Sequence, residues 1–385
     1  MSASMTRWLT QQARVRASRG LERTLLPRHA SEPFLDLASN DYLGLATDPR
    51  LVRAATAATE VWGTGSTSSR LVAGTTALHT ELEDALAALT GAASALVYSS
   101  GYLANIGVLT ALGGPGTAIV ADSHCHASMI DGFRLSRSRT QTFAHNSVAD
   151  AARLLSGRTE PRALIAVESI YSVLGDAAPL ADLLALAVRH DAMLLVDEAH
   201  SLGVTGQGAG SVAGTALAGH PNVILTATLS KALGSQGGAV LGSQLLREHL
   251  INRSRTFLFD TALAPAAAAA ALAAIEVIRR EPWRAAAVHT NAAALAAGLD
   301  RVLHRAPATV DAPAGAVQSI RMPDAASAVA AMLAAREAGL RVGCFRPPSV
   351  PDGVSRLRLT ARATLTPADL AWTCDLLGTI VGSPS

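Results

Sequence analysis

Five short, almost wholly apolar runs punctuate the first two thirds of the chain, at 95–98, 117–121, 163–167, 193–196 and 223–227. Each is too short for a helix and gives way at once to polar residues. This pattern predicts strands buried on both faces of a parallel sheet, delivering polar groups at their carboxyl ends. Apolar and charged residues recur at helical spacing over 75–89, a helix is predicted over 103–112, and an alanine-rich stretch over 266–280 predicts a buried helix. A further helix is predicted over 8–26 and a short strand over 238–242. Strand alternating with helix defines an α/β fold, a sheet covered by helices. After 280 the pattern changes to helices over 285–303 and 325–338 and strands over 317–321, 341–344 and 356–360, which predicts a smaller C-terminal α+β domain. The expected division is an N-terminal arm over 1–45, a large domain over 46–265, and a linking helix with small domain over 266–385.

The polar residues that leave the strand ends carry the candidate chemistry. Asp197-Glu198-Ala199-His200 follows one apolar run, and Thr228-Leu229-Ser230-Lys231 follows the next. In open α/β sheets ligands sit outside the carboxyl ends of the strands, so Asp197, His200, Thr228 and Lys231 are expected to converge. Lys231 is the only lysine among 32 Lys plus Arg. Arginine stays protonated, whereas a lysine amine can be desolvated and made nucleophilic toward an aldehyde. A lysine, a buried aspartate and a glycine-rich turn (Gly234, Gly237, Gly238) are the parts of a pyridoxal phosphate site. Upstream, Ser99-Ser100-Gly101-Tyr102 joins a strand to a helix start, whose free N–H groups suit the cofactor phosphate; Gly101 and Tyr102 are assigned to it.

Composition narrows the field. A mass of 39.5 kDa exceeds a typical single core, and 49% hydrophobic residues with 16% charged leave no long disordered tail. A net charge of +2 is too mild to suggest nucleic acid as the main partner. Cys125, Cys344 and Cys374 lack ligand spacing, so reduced thiols in the cytoplasm are expected and no metal site is. No signal peptide and no membrane span is read; the most apolar stretch, 262–275, falls short of the ~20 residues a span needs.

D-x-A-H followed by T-x-S-K, as at 197–200 and 228–231, resembles the fold-type I pyridoxal-phosphate enzymes. The segments S-N-D-Y-L-G (39–44), a G-x-G-x-x-x-S-R-x-x-x-G-like loop (63–74), H-A-S (126–128) and E-x-x-x-S (168–172) are similar to the α-oxoamine synthase subgroup. The resemblance covers nearly the whole chain. It implies a fold-type I transferase, aspartate-aminotransferase-like, working as a homodimer with active sites at the interface. It implies that His126 stacks on the pyridine ring and that Asp197 keeps the ring nitrogen protonated. Ser172 and His200 polarise the phenolic oxygen, Lys231 carries the aldehyde and acts as base, and Thr261 reaches the phosphate of the other subunit. Asn40 and Glu168 approach the substrate, and Arg358, in R-L-R-L-T (356–360), holds the amino-acid carboxylate. The loop R-P-P-S-V-P (346–351) is similar to that of the member condensing L-alanine with a pimeloyl thioester, on CoA or acyl-carrier protein, although serine replaces its usual threonine. Arg346 and Ser349 fall in this loop, and Arg23 aligns with the same member's N-terminal substrate-contacting arginine. Cys125 departs from the subgroup, which has serine there. The rival readings are a glycine-using member (5-aminolevulinate synthase or 2-amino-3-ketobutyrate ligase), an aminotransferase or decarboxylase, and a pyridoxal-phosphate-binding regulator without turnover. An α/β hydrolase is disfavoured, because Tyr98 occupies the first glycine position of a G-x-S-x-G elbow.

Overall fold

The computed structural model describes residues 1–30, 32–303 and 313–382. The first helix, α1 (Ala3–Ser18), is capped by the Ser2 hydroxyl and stops just before Gly20, at φ 61°. It is shorter than the helix expected over 8–26 and displaced toward the N-terminus. It buries none of its residues, so no apolar stripe marks its limits, and the cap and the glycine set them. Arg23 therefore lies beyond the helix. β1 (Leu35–Asp36) precedes α2 (Pro49–Trp62) and α3 (Ala77–Thr90). Between those two helices, Arg70 turns inward to Glu83 (2.8 Å) while Leu71 and Val72 face outward. Arg247 holds the other Glu83 oxygen at 3.0 Å, which leaves a buried carboxylate with two cations and fixes the small-residue loop.

The sheet consists of β2 (Ser94–Tyr98), β3 (Thr117–Asp122), β4 (Arg139–Phe143), β5 (Arg162–Glu168), β6 (Ala192–Asp197), β7 (Val223–Thr228) and β8 (Gly238–Gly242). Their order is β2-β8-β7-β6-β5-β3-β4, with β8 antiparallel to both neighbours and the others aligned. The helices between them are α4 (Gly101–Leu112), α5 (Ala127–Ser136), α6 (Val148–Ser156) and α7 (Leu180–Arg189), and α8 (Gln244–Arg253) and α9 (Arg255–Leu258) follow β8. Successive strand residues enter opposite cores. Ile165 and Val196 pack on one face with Leu82 and, from the later helix α10 (Pro265–Arg280), Ile275. Leu164 and Leu195 pack on the other with Met129 and Phe133 of α5. Both faces are dry, which is why the strands read as unbroken apolar runs. The edge strand β4, R-T-Q-T-F, is mostly solvent-facing and gives no such run. Arg139 begins this strand, and Arg137 ends α5 at φ 57°.

Beyond α11 (Trp283–Leu303), β9 (Val317–Arg321), α12 (Ala325–Glu337), β10 (Leu340–Arg341), β11 (Gly343–Phe345), β12 (Arg356–Thr360) and α13 (Pro367–Gly382) form a second core. Leu295, Ile320, Leu357 and Leu377 fill it, joined by Leu37 from the N-terminal segment. The single strand expected over 341–344 is two. β10 pairs in parallel with β1, and after Val342 the chain crosses to pair β11 with β12. Segment 35–37 is thereby tied to the C-terminal core, and Asn40 is carried to the mouth of the large sheet. No described helix is long and apolar enough to cross a membrane.

Candidate active site

Glu168 and Asp197 end β5 and β6 side by side in register, with Thr226 of β7 beside Asp197 two residues before that strand ends. Outside their ends lies a cavity of about 240 Å³. Ser100, Gly101 and Tyr102 form one wall at the start of α4, His126 and Ser128 come from the start of α5, and Ala199 and His200 follow β6. Thr228, Ser230 and Lys231 follow β7. Lys231, Asp197, His126, His200, Thr228, Gly101, Tyr102 and Glu168 thus meet in one place.

A hydrogen-bonded chain starts at the lysine. Lys231 Nζ lies 2.8 Å from His200 Nε2, and His200 Nδ1 lies 2.7 Å from the Tyr42 hydroxyl. Tyr42 donates to Asn40 Oδ1 at 3.1 Å, and Arg358 Nη2 donates to the same oxygen at 2.9 Å. Burial, and then the Lys231 charge, hold His200 well below its ordinary pKa, so it stays neutral. A neutral His200 that accepts from Lys231 at Nε2 carries its proton on Nδ1 and donates to Tyr42. Burial pushes Tyr42 up to about 12, keeping it a donor. Burial likewise pulls Lys231 down to about 8 against the opposing pull of Asp197. The amine is therefore poised to lose a proton near neutrality.

Asp197 is fixed from two sides. Its Oδ2 accepts from Asn105 Nδ2 at 2.7 Å and its Oδ1 from the Ala199 N–H at 2.9 Å. Asn105 is held in turn by the Thr226 hydroxyl (2.7 Å) and by Ser128 Oγ (2.9 Å). His126 caps α5, accepting the Ser128 N–H at Nδ1, and burial lowers its pKa. Asn105 and Tyr42 were given no role from the sequence. Asn105 is a lone amide inside an otherwise apolar helical run, the one local signal that a buried polar partner waits above it.

Arg356 and Arg358 share a strand face but part at their tips. Arg356 binds the Asp352 carboxylate (2.6 Å), while Arg358, 5% exposed, makes no ion pair among the described residues and has its Nε buried without a partner. Arg23, Ser349 and Arg346 gather away from the lysine: Arg23 Nη2 donates to Ser349 Oγ at 2.9 Å, and Arg346 donates to the carbonyls of Gly20 and Glu22. Ser172 lies beside the cavity, its N–H on Glu168 Oε2 at 3.0 Å. Thr261 is exposed and does not line the cavity. Segment 123–126 is a turn leading into α5; His124 stacks on His145 (3.9 Å) and His126 lines the cavity. Cys125 is buried with Sγ on the Ala166 carbonyl at 3.3 Å.

A sheet with this order, and a lysine and an aspartate at adjacent strand ends, define the class. The model of the family "Aminotransferase class I and II" matches residues 32–377, and the chain belongs to this family, with the fold-type I architecture. Within it, the chain is 49% identical over 371 residues to the 8-amino-7-oxononanoate synthase of Mycolicibacterium gilvum (strain PYR-GCK), covering 96% of both chains. It is 53% identical over 364 residues to that of Mycobacterium sp. (strain KMS), covering 94% of this chain and 93% of the relative. Among solved structures, serine palmitoyltransferase from S. paucimobilis superposes with a TM-score of 0.89 at 30% identity, covering 98% of this chain and 97% of that one. The 8-amino-7-oxononanoate synthase of Francisella tularensis superposes with a TM-score of 0.78 at 25% identity, over 91% of this chain and 98% of that one. The resemblance to the α-oxoamine synthases holds at the level of family and fold.

Pyridoxal phosphate fits the residues present. The cavity offers one amine (Lys231), one carboxylate held by two donors (Asp197) and an imidazole at its wall (His126). At the start of α4, the Gly101 and Tyr102 N–H groups have no intrahelical acceptor. A Cβ on Gly101 would come to 3.0 Å from Thr228 Cβ, so the bare backbone there, with the nearby Thr228 and Ser230 hydroxyls, could hold an anion.

Proposed function

We infer that this chain is a pyridoxal-phosphate-dependent C-acyltransferase that condenses L-alanine with a pimeloyl thioester, the 8-amino-7-oxononanoate synthase step of biotin biosynthesis. A C–C bond forms between the alanine α-carbon and the acyl carbon, the thiolate leaves, and the alanine carboxylate departs as CO2. The observation that carries the reading is the buried Arg358 guanidinium. Among the described residues it pairs with no carboxylate, and it is joined through Asn40, Tyr42 and His200 to the sole lysine. The curated relatives at about half identity support the choice of substrates.

When bound, pyridoxal phosphate supplies an aldehyde for amine attachment and a ring that takes up the electron pair left at an α-carbon. Lys231 holds the aldehyde at rest and, once freed, is the base for the α-proton. Asp197 holds the proton on the ring nitrogen, with Asn105 and the Ala199 N–H fixing its direction. Gly101, Tyr102, Thr228 and Ser230 hold the phosphate, and His126 covers the ring. Ser172 and His200 would polarise the cofactor's phenolic oxygen. Arg358 receives the alanine carboxylate, while the Arg23–Ser349–Arg346 cluster, which ties the N-terminal segment to the proline loop, meets the acyl substrate.

The deciding assay measures thiol release with alanine, glycine and serine crossed with pimeloyl, succinyl, acetyl and palmitoyl thioesters. Alanine with pimeloyl is expected to lead; a lead for glycine with succinyl or acetyl would move the chain to the glycine-using members. Arg358→Ala is expected to raise the KM for alanine about 10–100-fold, the loss of a charge-assisted hydrogen-bonded pair, while the cofactor remains bound. Unchanged alanine affinity would remove the clamp. Because the amine titrates near 8, covalent uptake of cofactor by the apo-protein should quicken as pH rises through about 8 and then level off. Stopped-flow absorbance follows this directly, and a flat profile between pH 7 and 9 would contradict the assignment of Lys231 as the attachment point.

The homodimer also belongs to this reading. Val72 (80% exposed) and Phe259 (72%) are large exposed apolar side chains outside the cavity, where exposed Thr261, near Phe259 in sequence, also lies, and a second copy would cover them. In that arrangement Thr261 serves the partner's phosphate, and sedimentation at micromolar concentration should give twice the chain mass. A cytoplasmic setting is the reading that suits three free thiols.

A further inference from the structure

Glu168 ends β5 as the register partner of Asp197, so two carboxyl groups meet at the floor of one cavity. They are held differently. Both oxygens of Asp197 accept a hydrogen bond. Glu168, only 2% exposed, accepts the Ser172 N–H on Oε2, while Oε1 is buried without a hydrogen-bond partner among the described residues; the backbone N–H of His126 lies near the carboxyl and favours its charged form. Two carboxylates in one enclosed site do not both ionise readily, and the one with fewer donors keeps the proton. Burial first, and the Asp197 charge second, push Glu168 up to about 8, against the opposing pull of Lys231. The other groups around it are Arg358, which favours the charged form, and Tyr42, Tyr171 and Cys125, which burial keeps neutral. Since Oε2 accepts from Ser172, the proton belongs on Oε1, the buried oxygen left without a partner among the described residues of a side chain that lines the cavity.

We propose that Glu168 is a catalytic hydrogen-bond donor for the acyl half of the reaction, its Oε1–H presented to the carbonyl oxygen of the incoming thioester. The proposal rests on the condensation reading given above. The amino-acid carboxylate has Arg358, the ring nitrogen has Asp197, and the phosphate has the α4 turn. The thioester oxygen alone is without a fixed donor, and it gains negative charge as the acyl carbon becomes tetrahedral. A preorganised neutral acid stabilises that charge more than it stabilises the ground state, and no proton changes owner.

The test uses the holoenzyme with alanine and pimeloyl-CoA. Glu168→Ala removes the donor and is expected to lower kcat about 10²–10³-fold. Glu168→Gln supplies an amide N–H in its place and is expected to recover about tenfold or more of that loss. Independently of turnover, the infrared difference between wild type and Glu168→Gln at neutral pH should contain a protonated-carboxyl stretch that shifts in D2O. An ionised-carboxylate band in its place overturns the proposal, as does a Glu168→Gln enzyme no faster than Glu168→Ala, or a Glu168→Ala enzyme within about threefold of wild type. If Glu168→Ala fails to fold, the infrared band alone decides. Failure of wild type to release thiol would sink the condensation reading, and the infrared band, read without substrate, keeps the two failures distinct.

Discussion

Lys231→Ala is expected to leave a folded protein that is colourless after purification and slower by about 10⁴-fold or more, since one side chain is both the aldehyde's anchor and the base. Lys231→Arg is the sharper control. It keeps a cation at the end of a similar stem, yet a guanidinium cannot carry the aldehyde, so it should be as inactive as the alanine variant. Reduction of the wild type with borohydride, followed by peptide mass analysis, should place the cofactor mass on the peptide containing Lys231 and on no other. Stability should move in the opposite direction to activity. The folded state lowers the amine from 10.5 to about 8, so it disfavours the charged form. This penalty is fully present below pH 8 and fades as pH rises from 8 toward 10.5, so apo-protein stability should climb across that window. In apo Lys231→Ala that climb should vanish. A wild-type protein whose stability falls over the same window, with the variant unchanged, would contradict a desolvated amine.

How much of this was legible in the chain follows from where each residue is buried. The central strands announce themselves because both of their faces are dry: Leu164 and Ile165 enter different cores, so apolar residues are needed at every position. β4 does not, since an edge strand keeps one side in water and reads R-T-Q-T-F. The ends of α1 were misplaced because that helix buries nothing that could phase it. α2 and α13 were not anticipated, although each begins at a proline that marks a first helical turn. Within the site, Asp197 and Lys231 stood out because each follows an apolar run directly. The Tyr42–His200 bond spans 158 positions and depends on β1 being drawn to β10, a pairing with only two residues on each strand. No local pattern encodes such a contact. The same holds for Arg356 and Arg358: alternation puts both on one face, and only Asp352 and Asn40 decide which remains free for a ligand.

Asp197→Asn is expected to fold, to retain cofactor less tightly and to lose about 10²–10³-fold in kcat, because the neutral amide no longer holds a proton on the ring nitrogen. The surroundings make this a clean experiment. Both carboxylate oxygens accept from donors, so an amide NH2 at either place meets an N–H group, and an unsatisfied contact of that kind costs about 1–3 kcal/mol. Asn105 can relieve it by rotating its amide, since its other partners, the Thr226 and Ser128 hydroxyls, donate or accept equally well. The stability loss should therefore be small compared with the catalytic loss, and urea unfolding set beside turnover separates the two. Asn105→Ala supplies the complementary measurement: it leaves the carboxylate but removes one of its two donors. If Asp197 acts by charge and Asn105 by direction, Asn105→Ala should cost less in kcat than Asp197→Asn and should alter the cofactor's visible spectrum and its pH dependence. The double variant should then be no worse than Asp197→Asn alone, because a positioning residue has nothing left to position. Additive losses would mean that Asn105 meets the cofactor itself, and an Asp197→Asn enzyme with near-normal turnover would remove the acid from the mechanism.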